Sequence, residues 1–147
     1  DIMRFILFET KTNEIPLTQE IAYIEKYIAL QKIRTANEQY VNFEVTGMID
    51  NQTIAPMAFI PFIENAFKHT TNKKIENAIS ISIRVEELGI HFACKNKFDP
   101  NRKPEHSNGL GNQLIEKRLQ LLYPDLHTLE VTNQNEIYHV QLSIQYG

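Results

Sequence analysis

The segment that most constrains the fold is residues 57–69, in which nine apolar residues surround four polar ones. A helix that is apolar on nearly all sides is buried, so we expect this segment to form a buried helix. Its polar residues Asn65, Lys68 and His69 have the spacing i, i+3 and i+4 and therefore share one helix face. A buried polar group without a hydrogen-bond partner costs on the order of several kcal/mol. This polar face therefore needs partners from protein, water or a ligand.

The residues alone leave two interpretations of this face open. In the structural one, Asn65 caps a neighbouring element, Lys68 pairs with Glu64 one turn earlier, and His69 ends the helix near its negative pole. In the functional one, Asn65 offers a carbonyl oxygen to a hard cation and Lys68 offers its charge to phosphate.

Composition narrows the class of protein. The 147 residues suit one domain, and a hydrophobic content of 42% is typical of globular proteins. A net charge of -3 argues against nucleic acid as a direct partner. The single cysteine, Cys94, excludes an internal disulfide and a cysteine-based metal site and fits a reducing cytoplasm. No apolar run has the roughly 18 residues of a membrane span, and no signal peptide opens the chain. Because the first residue is Asp1, we expect a piece of a longer protein.

Apolar spacing predicts the first elements. Residues 1–10 are expected to end one helix, because they carry six apolar side chains. A second amphipathic helix is expected from an N-cap at Thr18 to about Arg34. Alternation of apolar and polar residues over 41–45 then predicts a strand, which Gly47 closes.

Two prolines bear on the central helix. Pro56 suits the first turn of a helix, where a backbone N–H is not needed. Pro61 is then expected inside the helix, where it removes one hydrogen bond and bends the axis just before Glu64. The helix is expected to end near residues 70–72.

The second half of the chain predicts two hairpins and one further helix. Residues 79–85 and 90–94 alternate in polarity and are expected to pair as antiparallel strands. By the same alternation Asn96 points inward, either to bond a local turn or to meet a ligand. A helix with core residues Ile115, Leu119 and Leu122 is expected next, followed by a hairpin of strands 127–132 and 137–146. This order predicts an α+β fold, a two-layer α/β sandwich with a mixed, mostly antiparallel sheet and helices on one face.

The string PFIENAFKH at residues 61–69 resembles the N box of the ATP-binding domain of sensor histidine kinases, in the form used by the LytS/YehU-type branch. That domain has the Bergerat fold, which type II topoisomerases, MutL and the large heat-shock chaperone ATPases share. The segment before it is similar to the one that joins the phosphoacceptor helices to the ATP-binding domain in these kinases; the matching residues are Arg4, Pro16, Leu17, Glu20, Tyr27, Ile28, Leu30 and Arg34. The resemblance implies the end of the dimerisation and phosphoacceptor helix and a linker helix over residues 1–36, and an ATP-binding catalytic domain over 37–147.

The resemblance also implies roles for single residues. Asn65 would bind the magnesium that bridges the phosphates, and Lys68 would neutralise phosphate charge beside His69, the last residue of the motif. Glu64 would polarise a metal-bound water or, in the alternative that we favour, pair with Lys68. Residues Gly109, Leu110 and Gly111 are similar to the second glycine-rich box, whose amides cradle phosphate at a helix start.

The adenine end of the site departs from the family pattern. Asn96 stands where the first glycine-rich box places an aspartate that accepts a hydrogen bond from the adenine amino group. An asparagine oxygen accepts the same bond without charge assistance. The glycines of that box are missing, and Asp99 is a weaker substitute. The polar residues 97–108 correspond to the ATP lid, from which Lys97, Arg102 or Lys103 would reach phosphate.

The function implied is that of the ATP-binding catalytic domain of a two-component sensor kinase, which supplies the γ-phosphate of magnesium-bound ATP for histidine autophosphorylation. The partners implied are a response regulator, often of the LytTR type, and a second copy of the full-length protein, with this domain on the cytoplasmic side of a membrane. None of the five histidines lies in the HFLFN context of the family's acceptor, so we expect a fragment without its phosphoacceptor.

Two alternatives belong to other classes. A degenerate Bergerat-fold module that serves as a scaffold is favoured by Asn96 and by the missing glycines. A free-standing ATPase related to the chaperone and MutL group ranks last, because Pro61 stands where those enzymes carry a catalytic carboxylate.

Overall fold

A five-stranded sheet forms one layer of the molecule, with its strands in the order β2-β4-β5-β7-β6. The computed structural model describes residues 14–33, 40–70, 77–98 and 110–146. The sheet strands are β2 (Val41–Gly47), β4 (Ile79–Val85), β5 (Gly89–Lys97), β6 (His127–Gln134) and β7 (Ile137–Gln145). Two further short strands, β1 (Ile15–Pro16) and β3 (Thr53–Ile54), pair antiparallel in a small second sheet.

The sheet is mixed, as the sequence predicts. Strand β2 pairs with β4 in parallel, and the other three pairings are antiparallel. A parallel pair needs a crossover, and here the crossover from β2 to β4 contains β3 and the central helix. The helix that carries the polar face therefore lies in the connection between two neighbouring parallel strands of the sheet.

The strand register separates an apolar face from a polar one. Ile81 of β4 lies opposite Cys94 of β5, and Cys94 lies opposite Val140 of β7, and all three are buried. The alternate positions carry exposed or half-buried polar residues such as Ser82 and Gln141. One face of the sheet is therefore core and the other meets solvent, which is the two-layer arrangement that the alternation predicts.

Three helices among the described residues form the other layer: α1 (Leu17–Ile33), α2 (Ile60–His69) and α3 (Leu110–Leu122). Helix α2 lies against β5, where the ring of Phe59 stacks on Phe92 with centroids 4.7 Å apart and Phe62 lies 6.0 Å from the same ring. The fold class is thus the predicted α/β sandwich. No helix in the described part of the chain is long and apolar enough to cross a membrane.

Helix α1 belongs to the same core as the sheet. Its buried side chains recur at helical spacing: Leu17, Glu20, Ile21, Ile24 and Ile28. The N-terminal end of the helix is also tied by a hydrogen bond from the Leu17 amide to the Gln52 carbonyl at 2.9 Å. The helix begins at Leu17, so the predicted N-cap Thr18 lies inside it, and the start of the helix is shifted by two residues, which is ordinary at helix ends. The predicted helix over residues 1–10 lies outside the described residues.

The prolines act differently from the prediction. Helix α2 begins at Ile60, so Pro56 precedes the helix instead of opening it. Pro61 then lies in the first turn, where its missing N–H has no intrahelical acceptor to lose. The predicted bend before Glu64 was therefore wrong, because Pro61 starts the helix. The helix ends at His69, just before the predicted range.

The hairpin between β6 and β7 has a two-residue turn, Asn135-Glu136, between the paired residues Gln134 and Ile137. Both turn residues have positive φ, 54° and 62°. This is the backbone of a type I′ turn, which matches the twist of the strands and favours glycine at its second position.

Replacing Glu136 with glycine is therefore expected to stabilise the domain by about 0.5–1 kcal/mol, since glycine adopts positive φ without steric cost. Chemical denaturation of the wild type and Glu136→Gly measures the difference. Glu136→Ala removes the same charge and keeps the Cβ atom, so it serves as the matched control and is expected to give no gain. An equal gain in both variants would show that the charge, not the backbone, is responsible.

Candidate functional site

The central helix α2 is buried on one side only. Its buried residues are Ile60, Pro61, Phe62, Ile63, Ala66 and Phe67. Glu64, Asn65 and His69 are half-buried, and Lys68 is exposed. The predicted buried helix is therefore confirmed for its apolar residues, whereas its polar face is turned outward and is only partly buried. The shared face predicted for Asn65, Lys68 and His69 agrees with this pattern of burial.

Glu64 and Lys68 form the ion pair that we favoured from the sequence. The distance from Lys68 Nζ to Glu64 Oε1 is 3.2 Å, and the Lys68 side chain is 57% exposed. A solvent-exposed pair at i, i+4 contributes only about 0.3–0.5 kcal/mol. Lys68 can therefore leave Glu64 for a stronger anion at little cost.

His69 closes the helix as a neutral donor or acceptor. Burial, together with the positive charge of Lys68, lowers the pKa of His69. Its Nδ1 atom is buried and has no hydrogen-bond partner among the described residues, and the same is true of Oγ1 of Thr70 next to it. Two unsatisfied buried polar atoms thus lie at the C-terminal end of α2.

Asn96 points into the core, as its parity with Phe92 and Cys94 predicts. It is 2% exposed and lies in register between Ile79 of β4 and Tyr138 of β7. Within the described residues its Nδ2 atom has no hydrogen-bond partner. Since buried amides in native proteins are nearly always bonded, this amide nitrogen needs an explanation.

The polar end of α2 and Asn96 lie toward the same end of the sheet. The start of α2 contacts Phe92, in the middle of β5. Its last turn contacts Tyr40, whose ring centroid lies 6.0 Å from that of Phe67. Tyr40 directly precedes Val41, and Val41, Ile79 and Asn96 are consecutive partners across the strands. Helix α2 therefore runs toward the row that contains Asn96.

The other predicted site residues are placed in part. Lys97 is half-buried and ends β5, with its amide bonded to the Ala78 carbonyl at 2.9 Å. Leu110 and Gly111 form the start of α3. The remaining candidates lie outside the described residues: Asp99, Arg102, Lys103 and Gly109. The described part of the chain holds no cluster of three or more His, Cys, Asp or Glu side chains that could bind a metal ion.

A second group of polar residues, which the sequence prediction missed, surrounds the loop before α2. Glu20 of α1 is 2% exposed and accepts a hydrogen bond from the Ala58 amide at 3.2 Å. Arg118 of α3 is 5% exposed and donates to the carbonyl of Met57 at 3.2 Å and to the carbonyl of Pro56. We call residues 55–59 the entry loop.

Tyr123, just after α3, binds the same loop. Its hydroxyl accepts a hydrogen bond from the Ala55 amide at 2.8 Å and lies 3.5 Å from a carboxylate oxygen of Glu14. Burial raises the pKa of Tyr123 to about 12, so the hydroxyl keeps its proton. The sequence did carry a signal for this group, because Glu20 and Arg118 stand beside core residues at helical spacing, where a charge is out of pattern.

Burial raises the pKa of Glu20 to about 7, although the amides of Ala58 and Met57 and the charge of Arg118 act in the opposite direction. Removal from water is thus the largest influence on this carboxyl group. The buried charges of Glu20 and Arg118 each depend on the other and on the loop for compensation.

A third group of polar side chains, joined by hydrogen bonds, lies on the solvent face of the sheet. His91 of β5 contacts Ser143 Oγ through Nδ1 at 2.7 Å and Glu86 through Nε2 at 3.1 Å. The sequence of groups is that of a nucleophile, base and acid, but His91 and Glu86 are 38% and 46% exposed. Water competes for such groups, and His91 and Ser143 are direct cross-strand partners. We therefore interpret these contacts as cross-strand interactions that stabilise the pairing of β5 with β7.

Comparison with known proteins relates the chain to histidine kinases. The family described as "Histidine kinase" matches residues 1–39. An uncharacterized sensor-like histidine kinase of Staphylococcus epidermidis is 29% identical over 148 residues, which is 99% of this chain and 26% of that protein. The sensor histidine kinase BtsS of Escherichia coli K12 is 24% identical over 125 residues, 84% of this chain and 22% of that protein. The chain thus spans about a quarter of the length of these relatives.

Solved structures agree on the fold. The catalytic domain of histidine kinase ThkA superposes with a TM-score of 0.60 at 15% identity, covering 90% of this chain and 94% of that domain. Histidine kinase ThkA in complex with response regulator TrrA gives a TM-score of 0.56 at 13% identity, covering 99% of this chain and 46% of that one. The chain therefore has the fold of histidine kinase catalytic domains, and the sequence relatives that it matches are described as histidine kinases.

Proposed function

We propose that this chain binds magnesium-bound ATP and is the catalytic domain of a two-component sensor histidine kinase of the LytS/YehU branch. The observation that carries the proposal is the set of buried polar atoms without partners among the described residues at the end of α2 and β5: His69 Nδ1, Thr70 Oγ1 and Asn96 Nδ2. Desolvated groups of this kind cost about 1–3 kcal/mol each when nothing binds them. A polar ligand at this end of the sheet accounts for all three.

Asn96 fits adenine in spite of its departure from the family pattern. Its amide offers one acceptor, Oδ1, and one donor, Nδ2. An adenine edge offers the complement, an amino donor beside a ring-nitrogen acceptor, and asparagine pairs with adenine in this two-bonded way. The atom that has no protein partner in the described residues, Nδ2, is the donor that an aspartate would lack.

Asn65 and Lys68 fit the phosphate end of the ligand. Magnesium is usually held by only one or two protein side chains and completes its shell with phosphate oxygens and water, so its binding does not require a cluster of carboxylates. Asn65 would supply an amide oxygen from the polar face of α2. Lys68 would exchange Glu64 for phosphate, and Glu64, released from that pair, would face the metal-bound water.

The chemistry that ATP and magnesium supply is transfer of the γ-phosphoryl group, which depends mainly on positioning and charge neutralisation. The residues of this chain would accordingly hold and orient the nucleotide. Asn96 would fix the base, and Asn65 and Lys68 would hold the polyphosphate. The amides of Leu110 and Gly111, at the start of α3, would face the phosphates with the positive end of the helix dipole, together with the amide of Gly109 that the resemblance implies.

The remaining parts of the proposal concern the whole protein. We assign residues 1–36 to the end of the dimerisation and phosphoacceptor helix and the linker helix, and 37–147 to the catalytic domain. The acceptor histidine, the dimer contacts and a membrane anchor would lie elsewhere in the full-length protein, with this domain on the cytoplasmic side. A response regulator, of the LytTR type in this branch, would receive the phosphate, and the complex of ThkA with TrrA supports only the coarser part of this proposal, a response regulator as partner.

The second candidate is a scaffold module that has lost nucleotide binding. It is favoured by the uncharged Asn96, the missing glycines of the first box and the closed pair of Glu64 and Lys68. The two candidates differ in one measurable property, magnesium-dependent binding of nucleotide.

Titration calorimetry of this chain with a non-hydrolysable ATP analogue is expected to give magnesium-dependent binding in the micromolar to sub-millimolar range. Asn65→Ala is expected to weaken that binding at least tenfold, about 1.4 kcal/mol, and to leave the melting temperature within a few degrees, because Asn65 is half-buried. Asn42→Ala, at an exposed position of β2, is the matched control. Absence of heat and of a thermal shift at millimolar nucleotide in the folded wild type would favour the scaffold.

Asn96→Leu is expected to stabilise the ligand-free domain by about 1 kcal/mol, because it removes a buried amide nitrogen without a described partner. The same variant is expected to lose nucleotide binding. Asn133→Leu, at an exposed position of the same cross-strand row, is the control and should change neither property. Denaturation and calorimetry on the same samples test both effects, and a destabilised Asn96→Leu would mean that the asparagine is structural.

A further inference from the structure

We propose that Glu20 and Arg118 are positioning residues for the nucleotide site. They hold the entry loop between α1 and α3 and thereby fix the start of the helix that carries Asn65 and Lys68. The inference rests on the proposed function only in that α2 binds the nucleotide. The holding of the loop itself is a separate, measurable property.

The entry loop is buried, irregular and bonded mainly from outside. Ala55, Pro56, Ala58 and Phe59 are buried, so their backbone groups are shielded from water. Side chains of other elements supply the partners: Tyr123 for the Ala55 amide, Arg118 for the carbonyls of Pro56 and Met57, and Glu20 for the Ala58 amide. A buried backbone group without a partner is costly, so the loop keeps this path only while the side chains are in place.

The loop also needs external support because its own conformation is unfavourable. Met57 has a φ of 58°, in the left-handed region that residues other than glycine seldom adopt. Helix α2 has Phe59 at its N-cap, with no side-chain hydrogen bond there. A helix without a side-chain cap gains nothing from its own first residue that would fix its direction. The direction of α2 therefore depends on the turn at Met57 and on the groups that hold it.

Glu20 connects this support to α1. The carboxylate lies on the buried side of that helix, beside Leu17 and Ile24, which are both fully buried. The N-terminal end of α1 is further bonded to the chain before the loop, through Leu17 to Gln52 and through the pairing of β1 with β3. A shift of α1 along or about its axis would move Glu20 away from the Ala58 amide and release the loop. The orientation of the nucleotide helix thus depends on how α1 is docked.

Arg118 supports the loop from helix α3, which follows the loop in the sequence. Its guanidinium group donates from two nitrogens to two consecutive carbonyls, a geometry that the single ammonium of lysine does not reproduce. Helix α3 begins at Leu110, and its first residues, Leu110 and Gly111, are among those that we assign to the phosphates. The same arginine therefore joins the helix after the second glycine-rich box to the helix of the N box.

Glu20→Gln tests the proposal, because it keeps the shape but replaces one of the two acceptor oxygens, which face the Ala58 and Met57 amides, with a donor NH2 group. Amide hydrogen exchange is followed by mass spectrometry on peptides that cover residues 55–66 and, for comparison, β5. The variant is expected to exchange at least tenfold faster at Met57, Ala58 and the first turn of α2, with β5 unchanged. Glu25→Gln, at an exposed position of the same helix, is the matched control and should match the wild type.

Arg118→Lys tests the loop from α3, with Lys117→Arg at the neighbouring exposed position as its control. Faster exchange over the entry loop, without a change in β5, is expected again. Unchanged exchange over residues 55–66 in both Glu20→Gln and Arg118→Lys would overturn the proposal. Faster exchange spread evenly over the loop and β5 would also overturn it, because the residues would then serve stability alone.

The pH dependence of the free energy of unfolding separates a buried carboxyl group from a side chain that only fills space, because only the former titrates. The charges and amides that face Glu20 in the described residues are Arg118 of α3 and the Met57 and Ala58 amides of the loop. With a pKa of about 7, the folded state holds the Glu20 proton after an unfolded glutamate, with a pKa of 4.5, has lost it. The wild type is therefore expected to lose stability relative to Glu20→Gln as the pH rises from about 4.5 to 7, and to level off above that. Parallel profiles would contradict the buried carboxyl contact.

Calorimetry with the non-hydrolysable ATP analogue and magnesium then links the loop to the site. Glu20→Gln and Arg118→Lys are expected to bind at least fivefold more weakly than the wild type, and the two control variants are expected to bind equally well. If the wild type itself binds no nucleotide, the proposed function fails, while the exchange experiment still decides whether the two residues hold the loop. Full nucleotide affinity in both variants, despite a released loop, would overturn their positioning role.

Discussion

The contact on which the arrangement of the molecule most depends is the stack of Phe59 on Phe92, supported by Phe62. It places the start of α2 on the middle of β5, and the spacing of the helix then carries the polar face toward Asn96. Aromatic pairs of this kind contribute about 0.5–1.5 kcal/mol beyond their buried area. More important here is geometry, because the stack joins the helix that carries Asn65 and Lys68 to the strand that carries Asn96.

Buried polar groups in this domain fall into two classes, those with hydrogen-bond partners and those without partners among the described residues. Around the entry loop, backbone amides and carbonyls are matched with Glu20, Arg118 and Tyr123. At the end of α2 and β5, His69, Thr70 and Asn96 carry buried atoms without partners in the described residues. The first arrangement stabilises one path of the chain, and the second leaves hydrogen-bonding atoms that, in the function we propose, the nucleotide would use. This contrast is what a site that must be both rigid and ready for a ligand requires.

Most of the fold followed from the sequence, because period-two alternation and i, i+4 spacing report burial directly. The inward direction of Asn96 and the pair of Glu64 and Lys68 followed in the same way. The role of Pro61 did not, because it depends on whether the helix begins at Pro56 or at Ile60, a difference of one turn that local propensity does not decide. The short pairing of β1 with β3 was missed, since two-residue strands leave no periodicity to detect.

Glu20 and Arg118 were missed for a different reason: they are joined through a loop, and their partners are backbone atoms that carry no identity in the sequence. A charge at a core position indicates only that some partner exists. The positive φ of Met57 was equally hidden, because methionine gives no sign of a left-handed turn. Contacts that join distant elements through the main chain are the class of information that a single sequence withholds.

The burial of Cys94 has a practical consequence. It is the only cysteine of the chain, it faces the core from the centre of β5, and burial raises the pKa of its thiol to about 12. Because the thiolate is the reactive form, alkylating reagents do not modify this thiol until the sheet opens and exposes it. The rate of thiol labelling therefore reports the frequency with which this domain exposes its interior, without any engineered probe, and a ligand that closes the structure should slow it.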